Sequence, residues 1–226
     1  IISNGVSYGS GKAGDIAITA ERLVIDTDGY INNSASDEAK AAGNIIINVG
    51  RLSLTNDGTI SSSVSFGGHS GVITVNATES VFISGGSSSL SCYNGGSNPG
   101  GEITIKTPSL IMEDGNIAAS TSGSGSGGMI NLDVGTLILT DGARVSSGST
   151  LDGTGSGGHI TVKASDSVRI SSWFSGITAN TNSEGSGGTI HVSTPSLILL
   201  DEGHITASTS GPGRGGLRVP RWQRTC

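Results

Sequence analysis

A glycine recurs along this chain at Gly14, Gly43, Gly71, Gly101, Gly128, Gly158 and Gly188, and the residue two places on is isoleucine every time. Gly216 continues the spacing, so successive intervals are 29, 28, 30, 27, 30, 30 and 28 residues. A period in this range means one supersecondary unit stacked on copies of itself, each burying an apolar face that it cannot bury alone. Any fold for this chain has to accommodate about seven such units in series.

Each unit carries three short runs in which aliphatic residues alternate with polar ones. The first run holds Ile45/Ile47, Ile103/Ile105 and Ile130/Leu132, for example, and the second holds Leu52/Leu54, Leu110/Met112 and Leu137/Leu139. The third has a single aliphatic, at Ile31, Ile60, Leu90, Ile117, Val145, Ile177 and Ile205, followed two residues on by a small or polar side chain. Alternation with period 2 is the signature of a strand with one face buried and one wet. Three such strands per unit predict an all-β fold, a single-stranded parallel β-helix of about seven coils. Crossovers between parallel strands are almost always right-handed, so a right-handed coil is expected.

The corners follow from the same chemistry. Asp28-Gly29, Asp57-Gly58, Asp114-Gly115 and Asp141-Gly142 precede the third run, and Asp-Gly is a turn pair because both residues tolerate positive φ. Between the third run and the next anchor glycine lies a loop of serine and glycine, such as 120–128, with a linker's composition but a nearly constant length. Because length change in a free linker costs little, the constancy predicts a defined, stacked path for these loops.

The repeat spans about residues 11–216, within a region 1–216 that starts partway through a unit, and it reads as a piece of a longer protein. After Gly216 the inward offsets fall on Arg218 and Pro220, which suit neither a core nor a central strand. A slip of one residue would instead turn Leu217 and Val219 inward. Residues 217–226 are therefore expected to be a poorly ordered basic tail, from a frame shift or truncation in preference to a natural cap. Four of the chain's twelve basic residues lie from Arg214 to Arg224; without them 8 basic residues face 18 acidic ones, a formal −10. That balance argues against nucleic acid as a partner, and no apolar run is long enough to suggest membrane insertion. Cys92 and Cys226 stand in unlike contexts and support no disulfide framework.

Candidate sites are sparse. The corner aspartates Asp28, Asp57, Asp114 and Asp141 fall on one side of successive coils, and a stacked carboxylate row could bind calcium; the simpler reading is turn residues in water. His69, His159, His191 and His204 occupy different places in the repeat, so no metal pair or acid–base couple is expected. The outward row Ala17, Ile46, Thr74, Thr104, Asn131, Thr161 and His191 is too mixed for an ice-binding lattice. Trp173-Phe174, at a corner of the sixth coil, could stack on a sugar ring or cover a local gap. Serine-hydrolase, Walker and dinucleotide motifs are absent, so no cofactor is expected.

Segments such as Gly127-Gly128-Met129-Ile130-Asn131-Leu132, the run 136–145 and Ile205-Thr206-Ala207-Ser208 resemble the repeats of filamentous-haemagglutinin-like exoproteins, of a type common in cyanobacteria. The resemblance implies a right-handed β-helix, a secreted protein at the cell surface, and an outer-membrane transporter as its partner in two-partner secretion. It further implies a non-enzymatic stalk or adhesive segment; the resemblance does not specify its surface ligand, for which carbohydrate and another cell are the candidates. The alternative is a β-helix lyase or glycosidase acting on acidic polysaccharide, which would need paired carboxyls in a cleft. Uniform coil lengths favour the rod.

Overall fold

The computed structural model describes residues 2–3, 11–36, 41–150, 153–181 and 184–215, and the backbone of 217–218. A short strand, β1 (Ile2–Ser3), is followed by pairs of strands, one long and one short, in each of six turns. These are β2 (Ile16–Ile25) with β3 (Tyr30–Asn32), β4 (Ile45–Leu54) with β5 (Thr59–Ser61), and β6 (Val72–Ser84) with β7 (Ser89–Asn94). They continue as β8 (Glu102–Glu113) with β9 (Asn116–Thr121), β10 (Met129–Thr140) with β11 (Arg144–Ser146), and β12 (His159–Ile170) with β13 (Gly176–Thr178). The seventh turn holds β14 (Thr189–Ser193), β15 (Leu197–Leu199) and β16 (His204–Thr206), and β17 (Leu217–Arg218) follows. Each strand pairs in parallel with its counterpart one turn away, giving a nine-stranded and an eight-stranded sheet. The molecule is a parallel β-solenoid of about seven turns, all-β as expected, with no helix among the described residues.

The first two runs of each unit are continuous in six turns and separate only in the seventh. In β8 the inward residues are Ile103, Ile105 and Thr107, then Leu110 and Met112. The alternation slips by one at Pro108-Ser109, so the chain turns a corner without leaving the ladder. Register shifts between Val134 and Thr136, and between Asn76 and Val81, mark the same corner in other turns. That corner also buries a column absent from the aliphatic pattern: Val49, Ala77, Thr107, Val134, Ala164 and Thr194.

The interior is a set of vertical columns. Ile45, Ile73, Ile103, Ile130, Ile160 and Ile190 stack on one another, as do Ile60, Leu90, Ile117, Val145 and Ile177. Cys92 belongs to the small-residue column beside Ala119, where burial pushes its thiol up to about 12. It is an inert core side chain, since the thiolate is the reactive form.

The anchor glycines close each turn. Gly128 N–H donates to Ala119 O at 2.8 Å, Gly158 to Ser147 O at 3.0 Å and Gly188 to Ala179 O at 2.7 Å, bringing the chain back beside its own third run. Where the third run offers a polar side chain, it reaches an anchor carbonyl: Asn33 Nδ2 to Gly14 O at 2.8 Å, Ser62 Oγ to Gly43 O and Ser147 Oγ to Gly128 O, both at 2.7 Å.

The serine and glycine loops do stack. Thr121, Ser149, Thr181 and Thr209 bridge in succession, and Thr154 N donates to Gly123 O at 3.1 Å. Buried Thr121 and Thr181 each donate a hydroxyl to a carbonyl one turn earlier, Asn94 O at the end of β7 and Gly155 O in a loop. These loops therefore behave as a ladder of short backbone bonds with polar side chains satisfying what the ladder leaves over.

At the far end, Leu217 and Arg218 pair with Ile190 and His191. This is the slipped register, with Gly215 in the anchor place, two residues before the partner of Ile190. The ladder thus runs two residues past the expected limit at residue 216, while residues 219–226 of the expected tail lie outside the described residues.

Candidate functional site: a groove at the corner of turns four to six

The corner between the long and the short strand sets the shape of the surface. Two left-handed residues make the tight turn: Thr27 and Asp28 (φ 49° and 60°), Asn56 and Asp57 (46° and 70°), Asp141 and Gly142 (57° and 95°), Asp201 and Glu202 (48° and 67°). Each is closed by a backbone bond of the kind Gly58 N to Thr55 O, 3.0 Å, and positive φ at both central residues defines the type I′ turn. Among the Asp-Gly corners the glycine supplies positive φ only at Gly142, and in the third turn Gly85 does so at 97°. At Gly29, Gly58 and Gly203 it stands one residue later, where a Cβ would strike the strand one turn below or the turn's own backbone. Aspartate carries the unusual torsion and glycine provides the close approach.

Corner length varies by one residue either way. Leu139 to Arg144 is the common interval of five; Met112 to Asn116 is one shorter, and Ile83 to Ser89 and Ile170 to Gly176 are one longer. The short corner lies between two long ones, and a groove of about 490 Å³ runs across turns four to six with Gly86 of the third turn at its edge. Asp114 and Asp141 line it, with Asn116, Arg144 and the Trp173-Phe174 pair.

The long corner of the sixth turn is built for display. Phe174 is left-handed at φ 66° and Ser172 at 78°, a conformation that a bulky side chain rarely adopts. Ser175 ties the corner down, accepting Gly142 N–H on its hydroxyl at 3.0 Å, and Arg144 Nε donates to Phe174 O at 3.3 Å. The Arg144 guanidinium also lies 5.5 Å from the centre of the Phe174 ring, within cation–π range. Trp173 and Phe174 stack with centroids 5.3 Å apart and planes 15° from parallel, yet remain 67% and 55% exposed. They do not fill a gap in the core.

Of the four corner aspartates, the structure brings Asp114 and Asp141 to one groove and leaves Asp28 and Asp57 outside its lining. All four are exposed. The Asp114 carboxylate lies against the open positions left by Gly86 and Gly142, 3.1 and 3.2 Å from where their Cβ atoms would be. Among the described residues no three His, Cys, Asp or Glu side chains come together as a metal site. His69, His159 and His191 are exposed, and His204 lies across Gly176, whose missing side chain makes room for the ring.

The aspartate most affected by its surroundings is Asp26, which the turn pattern did not single out. Its carboxylate accepts Thr55 Oγ1 at 2.7 Å and Asn56 Nδ2 at 2.8 Å from the next turn's corner, and Thr27 Oγ1 at 3.1 Å. These bonds, Thr55's foremost, hold it below the ordinary carboxyl value of 3.8. A depressed folded-state value means stability that is present above the unfolded value and lost as pH falls through the folded one. The melting-temperature gap between parent and Asp26→Asn should therefore be widest at neutral pH and close below about pH 3.8. A gap constant from about pH 7 to about pH 2 would show that these bonds do not favour the charged form.

Asn116 and Arg144 escaped the sequence reading because they sit in an outward row of ordinary polar residues. The signal that locates the groove was the interval of 27 between Gly101 and Gly128, beside intervals of 30. No protein-family model, no curated protein and no solved structure matches the chain.

Proposed function

We propose that this chain is a non-enzymatic rod segment of a secreted, surface-exposed exoprotein of the filamentous-haemagglutinin-like kind, serving as stalk and adhesive surface. The observation that carries the reading is the uniformity of the stack. Turns two to six bury the same columns, the end turns continue them in register, and the corner intervals differ by a single residue either way. Such a stack adds length turn by turn, each turn needing only its neighbours. Export by an outer-membrane transporter partner belongs to the same proposal and rests on the repeat's resemblance alone. The acidic balance of the chain, −6 overall, fits a surface that keeps clear of nucleic acid.

The experiment is surface proteolysis of intact cells that make the protein, followed by detection of the repeat region with an antibody. Loss of the region from intact cells is the expected result. Protection until the cells are lysed would overturn the surface assignment. The lyase or glycosidase alternative draws on one feature, the presence of Asp114 and Asp141 beside exposed aromatics, and its mark would be catalytic release of reducing or unsaturated sugar.

A further inference from the structure

We propose that the groove across turns four to six is a binding site for a neutral hexopyranose polysaccharide, held by stacking on Trp173. The proposal deepens the adhesive reading given above and rests on it for the absence of turnover. Three observations carry it. An aromatic pair as exposed as Trp173 and Phe174 is costly to leave in water on a chain with only 4% aromatic residues, and it is held there by a strained corner. The second is polar chemistry beside that apolar face: Asp114 and Asp141 offer acceptors and Asn116 both acceptor and donor. A pyranose ring has that pair of faces, C–H bonds above and below the ring and hydroxyls around its rim. The third is size, since about 490 Å³ lies within the ~300–1,000 Å³ of ordinary ligand clefts.

Charge selects the sugar. Two carboxylates line the groove against one guanidinium, and Arg144 is already engaged with the Phe174 ring and carbonyl. A uronate or sulfate ester would meet net negative charge, and a neutral hydroxyl would meet free acceptors. The site therefore favours a neutral glycan over the acidic polysaccharides on which the enzymatic alternative would act.

The test is calorimetric titration of the full chain with hexasaccharides of β-1,4-glucan, α-1,4-glucan, β-1,4-mannan and polygalacturonate, with reducing-end release assayed in the same mixtures. Saturable binding of at least one neutral hexasaccharide is expected, roughly tenfold or more tighter than polygalacturonate and weakened roughly tenfold by Trp173→Ala. Asp141→Asn should narrow the gap between neutral and uronate sugars. As a second readout, Trp222→Phe leaves Trp173 as the sole indole, and bound sugar should shield it from acrylamide. No neutral binding up to about 10 mM, or binding untouched by Trp173→Ala, overturns the site and leaves the rod reading standing. Binding with release of reducing ends supports the site and overturns the non-enzymatic reading.

Discussion

Ile130→Asp is expected to unfold the middle of the solenoid. Ile130 is fully buried, with Ile103 and Ile160 paired to it in the turns on either side. An aspartate there has no cation and no hydrogen-bond donor to meet, so it is either buried charged or protonated with its polar atoms unsatisfied. Each state costs several kcal/mol, about 3–5 by analogy with a broken buried ion pair. Against a total stability of about 5–15 kcal/mol, that is a large share. For a domain above 150 residues it corresponds to a melting-temperature loss of about 6–20 °C. The stack adds a second expectation. Because turns contact only their neighbours, a defect in the fifth turn uncouples those before it from those after it, and the transition should broaden or split. Ser124→Asp puts the same charge on an exposed loop residue and should stay within about 0.5 kcal/mol of the parent. Equal shifts in the two variants would mean that the inward and outward assignment is wrong.

The aliphatic columns were legible because period-2 alternation repeated at a fixed interval leaves few alternatives. Ile103, Ile105, Leu110, Met112 and Ile117 each announce an inward position by contrast with polar neighbours. The buried positions that went unread have no such contrast. Thr107 and Thr194 face inward at the corner, and Asn94, Thr121, Ser149 and Thr181 fill the interior behind the loops. In sequence they cannot be told from the serine and glycine around them: Asn94, Thr121 and Thr181 each satisfy a carbonyl one turn earlier, and Thr107, Thr194 and Ser149 one within their own turn. The groove illustrates the same limit. Trp173-Phe174 stood out by composition, but its setting depends on the difference between a corner of four residues and one of six, which becomes a shape only once the turns are in register. The division of labour inside the Asp-Gly corners was also hidden, because either residue tolerates the left-handed torsion and only the stacked neighbour decides that glycine is needed for space.

Gly128→Ala separates those two roles of glycine with opposite signs. Gly128 does not have positive φ, so on conformational grounds alone alanine would stabilise the fold by about 0.4–1 kcal/mol through a stiffer unfolded chain. The stack argues the other way. A Cβ on Gly128 would overlap the carbonyl oxygen of Gly101, the anchor one turn earlier, and sit 2.6 Å from the carbonyl carbon of Gly100. Both are backbone atoms, and the Gly128 N–H is itself tied to Ala119 O at 2.8 Å, so neither side can swing clear as a side chain would. The same overlap waits at Gly43, Gly71, Gly158 and Gly188, each against the anchor before it. The recurring glycine is thus a column of close backbone approaches, and this accounts for its return at the head of each unit. Overpacking of this kind costs about 1–3 kcal/mol or more, which outweighs the entropic gain. Gly128→Ala should therefore lower the melting temperature by about 2–10 °C, whereas Gly11→Ala, with no atom within 4 Å of the added methyl, should leave it unchanged or slightly raised. A Gly128→Ala protein as stable as its parent would show that the turns stack further apart than described here, and the closeness of the glycine column would then explain nothing about the repeat.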